Sequence, residues 1–175
     1  MAKKREYKKW SQQQYTHGAI WVIIAEALLG FGDKAAEIFK MINPIEHSRT
    51  KEASNKYRVE PYVIAADVYG AGNLAGRGGW TWYTGSSSWY YKAGIEYLLG
   101  LKIEGGYLKI EPCIPKEWKE YQIQYRWKES IYNIKVSNPD GKNSGILKVT
   151  LNGEEVENKI KLDGKRNIYN IEVIM

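Results

Sequence analysis

Along the first hundred residues apolar side chains recur every three to four positions, the period of a helix; beyond Gly100 they recur every second position, the period of a strand. Ala19, Val22, Ile23, Ala27 and Leu28 predict a first helix with a broad apolar face that stops at Gly30 and Gly32. A second helix follows at once. Asp33 falls in its first turn near the positive helix end, AAEIFKMI carries the apolar spacing, and Asn43 with Pro44 closes it. After a polar stretch holding His47, Ser48, Arg49 and Thr50, a third helix is predicted from near Pro61, with Ile64, Ala65 and Val68 on one face and proline tolerated in the first turn. Five glycines in GAGNLAGRGGW predict a loop, after which the segment from about Ser86 to Leu99 returns to a helical pattern.

In the second half YLKIEP, YQIQYRW, SIYNIKVSN, GILKVTLNG, KIKLDG and NIYNIEVI read as short strands separated by NPDG, NGEE and DGK turns. Tyr132, Ile134 and Val136 form one face of their strand and alternate with Ile131, Asn133 and Lys135, while Leu147, Val149 and Leu151 form the apolar set of another. The fold class expected is therefore α+β, with about four helices followed by a small antiparallel sandwich and a division between residues 1–103 and 104–175.

A chain of 175 residues with 43% hydrophobic content can bury a real core. The net charge is +6, but the basic residues are spread along the chain without an RNP-like aromatic pair or zinc-finger spacing, which argues against nucleic acid as a partner. The longest apolar stretch, Ala19 to Gly30, is interrupted by Glu26, and the basic start MAKKREYKKW carries no apolar leader and reads as a solvated end. No membrane partner is expected. With Cys113 as the single cysteine there is no disulfide framework, and the expected location is cytoplasmic. The unusual feature is aromatic: seven Trp and fourteen Tyr against two Phe favour rings with a polar handle, suited to sugar stacking or to wet interfaces.

Candidate chemistry falls where polar residues sit among glycines and aromatics. Gly76 to Trp89, GRGGWTWYTGSSSW, frees backbone amides, and Thr84 or Ser86 can cap the following helix; it reads equally as an anion or sugar cradle and as a plain glycine-rich connection. No nucleotide-binding loop GxxxxGK[ST] is present. His17, in YTHG at the start of the first helix, is either a donor to a phosphate or sugar oxygen or a satisfied structural histidine. Two histidines, His17 and His47, without a ligand cluster argue against a metal site. Glu60 and Asp67 flank PYVIAA, seven apart, and would share a helix face if both were helical; Glu60 is a hydroxyl acceptor or an initial-turn charge, and Asp67 favours the structural role. Cys113 in EPCIP reads as a buried small side chain.

Four blocks, from QYTHGAIWVIIAEALLG through NPIEHSRT, then YRVEPYVIAADVYG, GRGGWTWYTGSSSWYYKAGIEYLLGLKI and LKIEPCIPKEWKEYQIQYRW, resemble in order the C-terminal part of glycoside hydrolase family 94. The family holds cellobiose and chitobiose phosphorylases, 1,2-β-oligoglucan phosphorylases and cyclic β-1,2-glucan synthases, and the wording is nearer the last three than the first. The resemblance implies the closing helices of an (α/α)6 barrel over residues 1–103, then a jelly-roll-like β domain over 104–175. It implies inverting phosphorolysis: inorganic phosphate, as co-substrate with no other cofactor, attacks a β-glycosidic bond and leaves an α-sugar 1-phosphate. By the family pattern His17, Thr84 and the Gly85 backbone hold phosphate, and Glu60, Arg77, Trp80 and Trp82 line the sugar and phosphate pocket.

Two departures matter. The family's general acid lies in an Asp-Trp-Asn-Asp stretch that these residues do not contain, so neither Asp33 nor Asp67 takes that role and the chain holds no catalytic residue of its own. Ser11, Gln12 and Gln13 stand where the family has Asn-Gly-Gly. The implied partners are an oligosaccharide and phosphate, together with an upstream polypeptide carrying the rest of the barrel, or a second copy of the chain. The alternative reading is a non-catalytic carbohydrate- or phosphate-binding module or a structural remnant.

Overall fold

The computed structural model describes residues 14–82 and 84–175; the basic start and the Ser11–Gln13 departure lie outside them. Helix α1 spans Thr16–Leu28, and its polypeptide reverses at Gly30, whose φ of 82° is a left-handed conformation that favours glycine. Helix α2 spans Gly32–Met41 with Asp33 in its first turn, as the spacing predicts. A short 3₁₀ turn at Glu46–Ser48 leads to helix α3, Lys51–Tyr57. Helix α4 covers Ser86–Lys92 and continues as a π-helix over Ala93–Leu98, where Leu99 N–H reaches back to Gly94 O (2.9 Å).

The described residues fall into two compact units, those up to Ile23 with Glu37–Lys92 and Ile24–Ala36 with Ala93–Met175. In the first, strand β1 (Gln14–Tyr15) pairs antiparallel with β2 (Asp67–Val68), and Tyr57, Val59, Val63 and Ala65 form a small core. In the second, strands β3 (Leu101–Glu104), β4 (Tyr107–Ile110) and β9 (Ile160–Lys161) form one sheet in the order β3-β4-β9. The larger sheet runs β5-β6-β10-β7-β8, from Glu120–Trp127, Ser130–Ser137, Ile168–Ile174, Lys148–Leu151 and Glu154–Glu155. One core draws on both sheets, with Leu108 and Ile110 from the smaller and Tyr132, Ile134, Val136 and Ile171 from the larger. The chain is thus a mixed α+β protein with a few helices and largely antiparallel sheets.

Four expectations are corrected. The helix predicted from Pro61 does not form: Val63 N–H closes a turn on Glu60 O (3.1 Å), and Ala66 N–H goes to Trp80 O (2.7 Å) rather than back along its own chain. Val63, Ile64 and Ala65 are consecutively buried, which an extended segment enclosed on both sides permits and a one-sided helix does not. The helix lies earlier, where Thr50 Oγ1 accepts from Ala53 N–H (3.1 Å), Glu52 occupies the first turn and Lys56 the last. It ends at Arg58, left-handed at φ 55°.

The second correction concerns α1. Its inner face is Ile20, Ile23 and Ala27, whereas Val22 is exposed and Leu28 is 67% exposed, so the helix is apolar on two sides. Third, the sheet is not wholly antiparallel: β6 and β10 run parallel, with Ile134 opposite Ile171, because residues 138–167 cross over between them. Fourth, of the apolar set on β7 Val149 is buried but Leu147 is exposed and lies outside the strand. The predicted face of β6 is as expected, with Tyr132, Ile134 and Val136 all buried. At the NPDG turn, buried Asn138 is fully engaged: its Nδ2 donates to Trp118 O and Lys142 O, and its Oδ1 accepts from Lys142 N–H.

Among the described residues no helix is long and apolar enough to cross a membrane, and no group of His, Cys, Asp and Glu is placed to hold a metal ion.

Candidate functional site

In the first unit, three backbone segments converge by hydrogen bonding. Tyr15 lies opposite Asp67 in the β1-β2 pair, and Thr16 N–H donates to Ala66 O (3.0 Å). On the other side of that segment Gly79 N–H donates to Asp67 O (2.8 Å), Tyr69 N–H to Arg77 O (2.9 Å), and Val68 bridges Gly78. The glycines here are required by close approach: a Cβ on Gly79 would fall 2.0 Å from Asp67 Oδ1, and one on Gly78 2.3 Å from Val59 Cγ2. The glycine run is a loop, as the composition predicts, and it is held against its neighbour by these hydrogen bonds.

This frame sets His17 at the first turn of α1 and Thr84 with Gly85 just before α4. A Cβ built on Gly85 would stand 3.5 Å from His17 Cε1 and 3.9 Å from Nε2, so the imidazole stands close to Gly85, on the side a Cβ would occupy. The half-buried His17 ring is flanked by Tyr15, at 5.9 Å between ring centres, and by Trp21, edge-on at 6.0 Å. Thr84 caps α4: its Oγ1 accepts from Ser86 N–H (3.1 Å) and shares a hydrogen bond with Ser86 Oγ (2.6 Å). The helix cap that the residues allow is thus formed.

Of the expected sugar-pocket residues, Glu60 and Trp82 are brought together. Trp82 Nε1–H donates to Glu60 Oε1 (3.3 Å), and Tyr62 meets the Trp82 ring edge-on with centres 6.2 Å apart. Trp82 is 71% exposed and has φ 60°, a left-handed conformation strained for a bulky residue. Trp80 is also exposed, and its N–H donates to Asp67 Oδ1 (3.3 Å). Arg77 is exposed, and its guanidinium makes no ion pair among the described residues.

The two carboxylates do not form a helical pair. Glu60 holds an indole and Asp67 holds a backbone amide, so Asp67 serves the frame. His47 is structural: its Nε2 bonds Met41 O (2.8 Å) and its ring stacks on buried Tyr57 at 4.8 Å. Tyr90 stacks on Phe39 at 4.0 Å and donates to Phe39 O, with burial pushing its hydroxyl pKa up so that it stays a donor. In the second unit Cys113 is buried, and burial with nearby Asp33 pushes its thiol up. A cavity of about 420 Å³ there, bordered by Lys102, Glu111 and Asn158, contains none of the expected site residues. Sequence reasoning missed Tyr15, Trp21 and Tyr62; the excess of Tyr and Trp signalled such rings without locating them.

Comparison with known proteins agrees with the block resemblance. Residues 5–100 match the glycosyl hydrolase 94 superfamily catalytic domain, and residues 101–166 match the C-terminal domain of glycosyl hydrolase family 65. The chain is 46% identical over 145 residues to the cyclic beta-(1,2)-glucan synthase NdvB of Rhizobium meliloti, an alignment covering 83% of the chain and 5% of that protein. It is 33% and 34% identical to the N,N'-diacetylchitobiose phosphorylases of Vibrio proteolyticus and Vibrio furnissii, covering 83% and 82% of the chain and 18% of each relative. The chain therefore spans a small C-terminal-like fraction of its curated relatives' length, and with more than half of its residues matched to the catalytic domain it belongs to the glycosyl hydrolase 94 superfamily.

Proposed function

We propose that this chain forms the phosphate-facing wall and part of the sugar-facing wall of an inverting β-glycoside phosphorylase or glycosyltransferase, with the general acid supplied by polypeptide upstream of these residues. The observation that carries the reading is the closeness of the His17 imidazole to Gly85, next in the chain to the Thr84 cap. In the proposed reaction a phosphate oxygen bonds to the anomeric carbon as the β-glycosidic bond breaks. The upstream acid gives its proton to the leaving oxygen, and the product is an α-sugar 1-phosphate. His17 and the Gly85 N–H orient the incoming phosphate, Thr84 adds a hydroxyl, and charge-assisted bonds of this kind are among the stronger ones in proteins. Arg77 contributes positive charge, while Glu60 accepts a sugar hydroxyl and Trp80 and Trp82 offer ring faces. The helices of residues 1–103 then read as the end of an (α/α)6 barrel and residues 104–175 as its jelly-roll-like companion.

The partner follows from α1. Trp21, Val22, Leu28 and Leu29 line a second apolar stripe, with Trp21 58% and Leu29 68% exposed, and a helix apolar on two sides is suited to the interior of a larger helical assembly. Upstream helices, joined to this chain or separate from it, cover that stripe.

The test is consumption of α-glucose 1-phosphate and α-N-acetylglucosamine 1-phosphate, with an acceptor panel, by the chain alone and together with the upstream polypeptide. Turnover is expected only in the combination and is expected to be lost in His17→Ala. No turnover from a pair shown to be folded and associated would instead support a non-catalytic binding module. Turnover by these residues alone would overturn the assignment of the acid to upstream polypeptide.

A further inference from the structure

We propose that the outer face of the larger sheet is an oligosaccharide-binding surface, built on a row of three side-chain amides across β5, β6 and β10. Register places Gln124 opposite Asn133 and Asn133 opposite Asn170. The row is joined by hydrogen bonds: Gln124 Nε2 donates to Asn133 Oδ1 (3.1 Å), and Asn133 Nδ2 donates to Asn170 Oδ1 (3.2 Å). These residues alternate with core-facing Ile134 and Ile171, so they point away from the core. The next row carries Gln122, Lys135 and Glu172, and the two rows line an open trough of about 530 Å³.

Asparagine is depleted in strands, yet two stand in register on central strands of this sheet. Their mutual bonds fix the amide planes without exhausting them. Asn133 uses one N–H and one lone pair within the row and keeps one of each for a ligand above it. The row thus presents alternating donors and acceptors over two strand spacings, about 10 Å.

A hydroxyl is both donor and acceptor and matches such a surface. The row of Gln122, Lys135 and Glu172 does not favour an anion, because Lys135 is paired with Glu120 at 3.2 Å and Glu172 adds the opposite charge. The row on the far side of the amides holds Arg126, Ile131 and Ile168, the last 64% exposed, so the isoleucines give the C–H face of a sugar ring an apolar contact and Arg126 a donor to its hydroxyls. Because β5 is the edge strand, the trough is open along that side. This inference uses none of the residues assigned to phosphate and stands without that assignment.

The experiment is an NMR titration of the ¹⁵N-labelled full chain with a β-1,2-linked glucooligosaccharide, with inorganic phosphate as a separate arm. Saturable shifts of the Gln122, Gln124, Asn133 and Asn170 side-chain amides are expected with the sugar and not with phosphate. Asn133→Thr, which keeps strand preference, and Gln124→Thr on the edge strand should each weaken binding about tenfold, while His17→Ala leaves these shifts unchanged. Absence of shifts at the four amides, the same shifts with phosphate, or undiminished binding in both folded Thr variants would overturn the proposal.

Discussion

Substituting Gly85 by alanine should separate folding from phosphate recognition. The new methyl would meet His17 Cε1 at 3.5 Å and Nε2 at 3.9 Å, which is ordinary van der Waals contact, and Gly85 does not occupy the left-handed region. The folded state therefore bears little cost. Replacing a glycine in a compatible conformation stabilises by about 0.4–1 kcal/mol through the unfolded chain, or about 1–4 °C in thermal midpoint for a chain of this size. The same methyl, 3.9 Å from His17 Nε2, narrows the space beside the imidazole that a phosphate oxygen held by His17 and the Gly85 amide would use. Losing one charge-assisted bond, about 1.5–3 kcal/mol, weakens phosphate binding about 10- to 150-fold. Differential scanning calorimetry reads the first effect and isothermal titration with inorganic phosphate the second. Wild-type phosphate affinity in Gly85→Ala would refute the placement of phosphate between His17 and Gly85. A midpoint lowered by more than about 5 °C would refute the packing argument.

Trp82→Gly relieves a left-handed residue at φ 60°, a conformation costing an L side chain roughly 1–2 kcal/mol, and removes the indole held by Glu60. Urea unfolding should show unchanged or raised stability, while oligosaccharide affinity falls in a titration. Gly32→Ala should destabilise by about 1–3 kcal/mol in urea unfolding, because its Cβ would lie 2.2 Å from Ile114 O, a backbone atom with little room to yield. The Tyr169 hydroxyl at 2.5 Å, then Ser130, the Lys165 amide and Asn167, hold the Asp163 carboxyl below the ordinary carboxylate range against a smaller opposing effect of desolvation. Because the folded value is depressed, this stabilisation is whole above the unfolded value of about 3.9 and is lost as pH falls through it toward the folded value. Thermal midpoints measured against pH should show Tyr169→Phe less stable than wild type at neutral pH, with the gap closing in acid; a gap constant with pH would refute the linkage.

The sequence alone determined the change of period at Gly100, the buried alternation of Tyr132, Ile134 and Val136, and the stop of the first helix at Gly30, because these depend on local backbone geometry and on which side of a strand is wet. It also nominated His17, Thr84 and Gly85, through residue type and resemblance, without showing that the His17 ring stands close to Gly85. The helix at Lys51–Tyr57 was written in its Thr50 cap and its first-turn Glu52, but no amphipathic stripe announced it. The tertiary structure decided the rest. Pro61 to Ala66 reads as helical because apolar residues fall at helical spacing, yet the backbone of Ala66 bonds to Thr16 and Trp80, partners no local window contains. Likewise the parallel pairing of β6 with β10, the Trp82 indole on Glu60 and the amide row across three strands depend on segments distant in sequence, so only the assembled fold brings them into register.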